Sequence, residues 1–252
     1  MLKVKSAVKE FSGFRAVDEC SFEVEKNTIT GLIGPNGAGK TTMFNLIAGS
    51  LDLDQGEVYF SEQKVNNFAP HQIARLGLAR TFQIPKTLKK MTVMENLMLV
   101  PSGQSGENLW NSWFNSAKVS REEKSVEAKA FETLEFLEMT HLADEMAVNL
   151  SGGQKKLLEL GRALMADPEL IMLDEPGAGV NPTLLNKIAE NIIKLKERGK
   201  TILLIEHNMD LIMNICDRVI VMNDGKHLVE GTPAEVKSNP RVLEAYLGEK
   251  TA

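Results

Sequence analysis

The clearest chemistry lies in Gly34-Pro35-Asn36-Gly37-Ala38-Gly39-Lys40-Thr41, which fits G-x-x-x-x-G-K-[ST] at every fixed position, with Thr42 next in line. Glycines in such a loop let backbone N–H groups curl around an anion, and the following helix start adds about half a positive charge. Lys40 is placed to reach the β- and γ-phosphates of a nucleotide, and the Thr41 hydroxyl to ligate Mg²⁺. A Gly-rich turn with a lone surface lysine is the plainer alternative, but here a buried strand precedes the loop and a helix follows it. A dinucleotide site fits worse, because Gly34, Gly37 and Gly39 lack G-x-G-x-x-G spacing.

A nucleotide held with Mg²⁺ needs a carboxylate for the metal shell and, if hydrolysed, a group to activate water. Leu170-Ile171-Met172-Leu173-Asp174-Glu175 supplies both. Its apolar run reads as a buried strand, and two carboxylates emerge at the carboxyl end, where parallel sheets bind ligands. Asp174 is the candidate for holding Mg²⁺, often through water, and Glu175 for polarising the attacking water. Alone, the segment reads as an ordinary strand with an acidic turn. Paired with the phosphate loop, it reads as part of a site.

The elements that position these residues follow from periodicity. The start is β-rich, with apolar Val4, Ala7 and Val8, alternation over Ser21–Glu25, and a further strand at Glu57–Phe60. Thr28–Ile33 is apolar without alternation, as in a strand buried on both faces. A helix from Thr41 carries Phe44, Ile47 and Ala48, and Gly49 is placed to stop it. From about Gln83 to Leu150 the pattern is helical. Within it, 102–116 reads as a surface loop. Ser120-x-x-Glu123 reads as the capping box of a long helix with Val126, Ala130, Leu134 and Leu137 on one face. After Leu150 strands and helices alternate: Leu170–Leu173, a helix from Asn181-Pro182 to Gly199, then Thr201–Ile205 and Arg218–Met222. Such alternation predicts a largely parallel sheet. The expected organisation is an α/β core with a β arm over 1–82 and 155–252, interrupted by a helical subdomain over 83–154.

Composition narrows the function classes. A length of 252 residues allows one or two domains. With 29 Lys+Arg against 34 Asp+Glu the net charge is −5, which argues against holding nucleic acid or anionic lipid through charge alone. Cys20 and Cys216 lack metal or redox spacing and read as reduced thiols. No apolar run approaches the ~18 residues of a membrane span, and Met1–Phe11 has no secretory apolar stretch. A soluble, intracellular α/β protein is expected.

Leu150-Ser151-Gly152-Gly153-Gln154 opens another helix, with Ser151 as N-cap candidate. Its glycines make a second anion site, which is sensible if that site serves a partner's nucleotide. Here the sequence resembles the ATP-binding cassette (ABC) ATPases, whose LSGGQ signature it carries intact. The resemblance covers essentially the whole chain. It implies a P-loop NTPase (RecA-like) α/β core with an antiparallel β arm and an inserted α-helical subdomain. ATP and Mg²⁺ are the implied cofactors, and hydrolysis is coupled to solute translocation. Ser151, Gly152, Gly153 and Gln154 would then meet the nucleotide held by Lys40 of a second subunit.

Further roles transfer by the same resemblance. Gln83, in Arg80-Thr81-Phe82-Gln83, matches the glutamine that contacts Mg²⁺ and the water. His207, in Ile205-Glu206-His207, matches the switch histidine facing the γ-phosphate. Phe11, in Phe11-x-Gly13-x-x-Ala16-Val17, matches the aromatic that stacks on adenine, with Phe14 the competing choice. The implied partners are integral-membrane permease subunits and either a second copy or a similar ATPase, with no nucleic acid. The implied location is the inner face of the cell membrane. The permease is expected near Gln83–Leu97, where Ile84, Leu88, Met91, Met94 and Leu97 mix with Lys86, Lys89 and Lys90, though several of these apolar residues would pack the lobe's own core.

One departure stands out. The usual S-x-L-D of the D-loop reads Ala178-Gly179-Val180-Asn181, so an amide replaces a carboxylate at the expected dimer seam. The Glu-Pro-x-Ala-Gly-x-Asn-Pro form, Ile205-Glu206-His207-Asn208-Met209 and the tail Asn239–Glu249 resemble the branched-chain amino acid branch of ABC importers. Urea or amide importers and lipopolysaccharide-type exporters share versions of these segments and are the alternative. Soluble ABC ATPases of DNA repair or translation would need a long coiled-coil insertion or two cassettes. A P-loop GTPase would lack LSGGQ and carry N-K-x-D, which is absent.

Overall fold

The computed structural model describes residues 1–81, 87–101 and 116–247, so Gln83 and the loop expected from 102 lie outside the described residues. The chain divides into two compact units, Met1–Gln83 with Pro168–Ala178 and Leu185–Ala252, and Ile84–Asp167 with Gly179–Leu184.

The first unit holds two sheets. β1 (Leu2–Phe11), β2 (Phe14–Val24), β4 (Gln55–Phe60) and β5 (Gln63–Lys64) form an antiparallel sheet in the order β2-β1-β4-β5. The second sheet contains β3 (Ile29–Ile33), β6 (Leu78–Arg80), β7 (Leu170–Asp174), β8 (Thr201–Ile205), β9 (Arg218–Asn223) and β10 (Lys226–Gly231), in the order β10-β9-β3-β8-β7-β6. All its pairings are parallel except that of β10 with β9. β3, β7 and β8 are buried along their whole length, which is why their sequences are apolar runs rather than alternations. Met43, Phe44 and Ile47 of the Lys40–Ile47 helix join one core with Leu32, Met172 and Ile205 of the parallel sheet and Val4, Val17 and Phe60 of the antiparallel one. Full burial of each such side chain stabilises the fold by about 1.5–3 kcal/mol.

The second unit is helical and runs past the expected limit at 154. The Gly152–Met165 helix packs on the Val93–Met98 and Ser116–Phe136 helices, and this carries 155–167 out of the α/β unit. A methyl group at Gly161 would come within 2.9 Å of Leu137 and 3.1 Å of Leu97, so a glycine there permits the close approach. The long helix begins at Ser116, which places Ser120 inside it rather than at its cap. Ser-x-x-Glu is also ordinary i, i+3 spacing within a helix, and the Lys118–Glu122 pair at 3.7 Å supports the earlier turn. Ala130, Leu134 and Leu137 are buried as expected. Of the apolar residues expected to face a permease, Leu97 is fully buried in this unit and Leu88 is exposed. Buried Asn96 holds the turn between them, with Nδ2 donating to Leu88 O and Thr92 O and Oδ1 accepting from Leu88 N–H.

Candidate functional site

Parallel pairing brings the carboxyl ends of β3, β6, β7 and β8 to one edge of the sheet. Arg80 pairs with Met172, Asp174 with Ile205, and Leu32 with Ile205. The phosphate loop leaves the end of β3 and runs into the Lys40–Ile47 helix. Gly34 at φ +150° and Gly39 at φ +91° cannot be replaced without a clash, since a Cβ would overlap the carbonyl oxygen of Met222 or of Ala16. Lys40 is buried against the loop, its Nζ donating to Gly34 O and Pro35 O at 2.8 Å each.

Asp174 ends β7 with a side chain only 5% exposed, and its Oδ2 accepts from Arg80 Nη2 at 3.0 Å. Arg80 Nη1 donates to Asn45 Oδ1 at 2.6 Å, and its guanidinium lies 5.7 Å from the centre of the Phe44 ring. The end of β6, the end of β7 and the phosphate-loop helix are therefore joined by one cation. Glu175 follows at φ +51°, a left-handed conformation that is strained for a glutamate. Its N–H donates to Ile205 O at 3.0 Å and its carbonyl accepts from Ala178 N–H at 3.1 Å, so neighbouring backbone holds the strained turn. Glu175 Oε1 lies 2.9 Å from His207 Nε2. An ionised carboxylate only accepts, so His207 Nε2 is the donor there.

Lys40, Glu175 and His207 share one pocket of about 310 Å³, lined by Phe14, Ala16, Asn36–Thr42, Glu175 and His207, while Asp174 stands directly before Glu175 and is not in its lining. Phe11, expected on the adenine, is not among the lining residues. It faces Phe14 across a two-residue turn, and the Lys9 ammonium lies 5.6 Å from its ring centre. The register explains the difference: of the two aromatics flanking the turn, the one on β2 leads into Ala16, whose carbonyl abuts Gly39.

The signature lies in the helical unit. Ser151 caps the Gly152–Met165 helix by a reciprocal pair, Gln154 N–H donating to Ser151 Oγ at 3.3 Å and Ser151 N–H to Gln154 Oε1 at 2.8 Å. A Cβ on Gly152 would meet nothing, whereas one on Gly153 would overlap Leu184. Asn181 Oδ1 accepts from Leu184 N–H at 2.8 Å, so the amide in place of a carboxylate still caps the helix beginning at Pro182.

The profile of the ABC transporter family matches residues 17–178, more than half of the chain. The chain belongs to the ABC transporter ATPases. A second profile, described as branched-chain amino acid ATP-binding cassette transporter, matches residues 226–252. The cassette is 45% identical over 248 residues to a probable branched-chain amino acid transport ATP-binding protein of Archaeoglobus fulgidus, covering 98% of this chain and 95% of that one. It is 38% identical over 250 residues to the high-affinity branched-chain amino acid transport ATP-binding protein of Escherichia coli, covering 99% and 98%. Among solved structures, a nucleotide-free cassette of an ABC transporter shares 43% identity at a TM-score of 0.84, with 98% of each chain covered. A cassette of an ABC transporter in its ADP conformation matches with the same identity and TM-score.

The α/β fold with its ABC cassette organisation is thus as the sequence indicated, and the cassette is an ATPase subunit of a membrane transporter. Among the described residues no helix is long and apolar enough to cross a membrane. Two residues of the site were not singled out by sequence reasoning. Arg80 was a visible signal, a cation closing the apolar strand Leu78-Ala79-Arg80. Glu206 was another, a carboxylate directly after the fully buried β8.

Proposed function

We propose that this cassette binds MgATP in the phosphate-loop pocket and hydrolyses it to power a permease that imports branched-chain or related amino acids. The observation that carries the hydrolytic half is the pocket in which the phosphate loop, Glu175 and His207 meet, with Glu175 and His207 2.9 Å apart. The solute reading rests on the relatives' names and the tail profile over 226–252.

The donor set suits MgATP. Gly34 and Gly39 let the loop pack against the Met222 and Ala16 carbonyls, as a phosphate loop whose N–H groups hold phosphate oxygens requires. Thr41, in the pocket lining, and Asp174, at the end of β7 directly before Glu175, are the residues that would hold Mg²⁺ beside the phosphate oxygens. Bound Mg²⁺ would neutralise charge on the β- and γ-phosphates. Lys40 turns its ammonium from the loop carbonyls to those same oxygens, and Phe14 covers the adenine. Glu175 accepts a proton from water as the water oxygen bonds to the γ-phosphorus. The bond from that phosphorus to the bridging oxygen breaks, and ADP leaves with the electron pair. His207 Nε2 holds the Glu175 carboxylate in line. Gln83 completes the site around the attacking water.

Each chain has one phosphate loop and one signature, so a two-fold, head-to-tail pair completes two sites. Ser151, Gly152, Gly153 and Gln154 of one subunit then face the γ-phosphate held by the other. The second subunit is another copy or a similar ATPase, and the pair works on the cytoplasmic side of the permease. Glu175→Gln should bind ATP but turn over about 10²–10⁴-fold more slowly, the scale of a lost general base. Undiminished turnover would remove Glu175 from the mechanism. Loss of leucine, isoleucine and valine uptake, with urea uptake intact, in cells lacking this subunit tests the solute.

A further inference from the structure

Glu206 is buried to 3% exposure directly after β8, where an ionised carboxylate is costly unless its oxygens are matched by donors. Its partners are three backbone N–H groups from two different loops. Gly177 N–H donates to Oε1 at 2.5 Å, while His207 N–H and Asn208 N–H donate to Oε2 at 3.0 and 3.2 Å. Gly177 stands two residues after Glu175, so one carboxylate spans from the loop that carries Glu175 to the loop that carries His207. The two side chains then meet at their tips, 2.9 Å apart.

The surroundings fit this clamp. A Cβ on Gly177 would come within 2.7 Å of both Glu206 Oε1 and Leu185, so the glycine admits the carboxylate. Asn208 also caps the Met209–Ile215 helix through Oδ1 and Leu211 N–H at 3.0 Å, which ties His207 to a fixed helix start. Glu175 sits in a left-handed turn whose far side is the clamped Gly177. Strained backbone of that kind persists only where its surroundings over-determine it.

We infer that Glu206 is a positioning residue for hydrolysis, its carboxylate setting the separation and orientation of Glu175 and His207. The inference rests on the roles proposed above for those two residues. Glu206→Gln keeps the volume but offers one acceptor oxygen and one NH₂, which cannot accept from backbone N–H groups. One of the two loops must be released.

The test measures turnover, nucleotide affinity and amide exchange in the full-length cassette. In Glu206→Gln, kcat should fall about 10- to 100-fold, the scale of losing hydrogen bonds to a charged group, with MgATP affinity within about twofold of wild type. Exchange should quicken at Gly177 or at His207 and Asn208. Adding Glu206→Gln to His207→Ala should cost little more than His207→Ala alone, because residues acting as a unit are non-additive. A purely structural role would instead make the two losses multiply. Wild-type kcat in Glu206→Gln beside a slow His207→Ala, multiplying losses, or unchanged exchange would each overturn the inference alone. Wild-type kcat in His207→Ala would overturn the proposed pairing of Glu175 with His207, and this inference with it.

Discussion

Arg80→Met offers a quantitative check on how Asp174 is held. The substitution keeps an unbranched apolar stem and removes the guanidinium with its charge. Asp174 is then left 5% exposed without the guanidinium now 3.0 Å away, and Asn45 Oδ1 loses its 2.6 Å donor. Breaking a buried pair by removing one partner costs about 3–5 kcal/mol, because the remaining charge is uncompensated. In a protein of this size each kcal/mol lowers Tm by about 2–4 °C, so the loss should be about 6–20 °C. Adding Asp174→Asn removes the orphaned charge and should recover most of that fall, even though each single substitution destabilises. Thermal unfolding of the wild type, both single variants and the double variant closes the cycle. A fall under about 2 °C in Arg80→Met, well below the buried-pair range, would refute the argument. So would a double variant that melts as low as Arg80→Met.

Phe14→Ala should weaken ATP binding about tenfold, in line with the ~1–3 kcal/mol of base stacking on an aromatic, whereas Phe11→Ala should leave it nearly unchanged. Titration with a fluorescent ATP analogue decides, and the reverse ranking would return the adenine to Phe11. Gly153→Ala should lower stability relative to Gly152→Ala by about 0.5–1.5 kcal/mol, because its methyl forces the half-buried Leu184 side chain out of its present rotamer. The methyl of Gly152→Ala meets nothing, and equal melting temperatures would contradict that packing. Burial pushes the thiols of Cys20 and Cys216 up from 9.0 to about 12. The folded state then favours the protonated thiol, so the stabilisation is complete below pH 9 and is lost as pH rises towards 12. Unfolding free energy should fall by up to about 1.4 kcal/mol per pH unit per thiol in that window. A urea midpoint that stays flat from pH 9 to 11 would show that the thiols are not so buried.

The candidate site residues could be picked from sequence because their motifs are local. The phosphate loop, Asp174 and Glu175, and the signature each depend on a few consecutive residues joined to one strand or helix. The apolar runs of β3, β7 and β8 likewise announce burial on both faces. Relations between segments distant in the chain needed the tertiary structure. Arg80 meets Asp174 across 94 positions because β6 and β7 pair in parallel. Glu206 meets Gly177 because β7 and β8 end side by side, and nothing in either segment alone encodes that contact. That Phe14 rather than Phe11 lines the phosphate-loop pocket turned on which strand of the hairpin leads to the phosphate loop. The limit of the helical unit turned on which helices the Gly152–Met165 helix packs against. Local patterns specify what each segment is, through propensity and burial. Which side chains become partners is set by strand register and helix packing, interactions whose energy belongs to the whole fold.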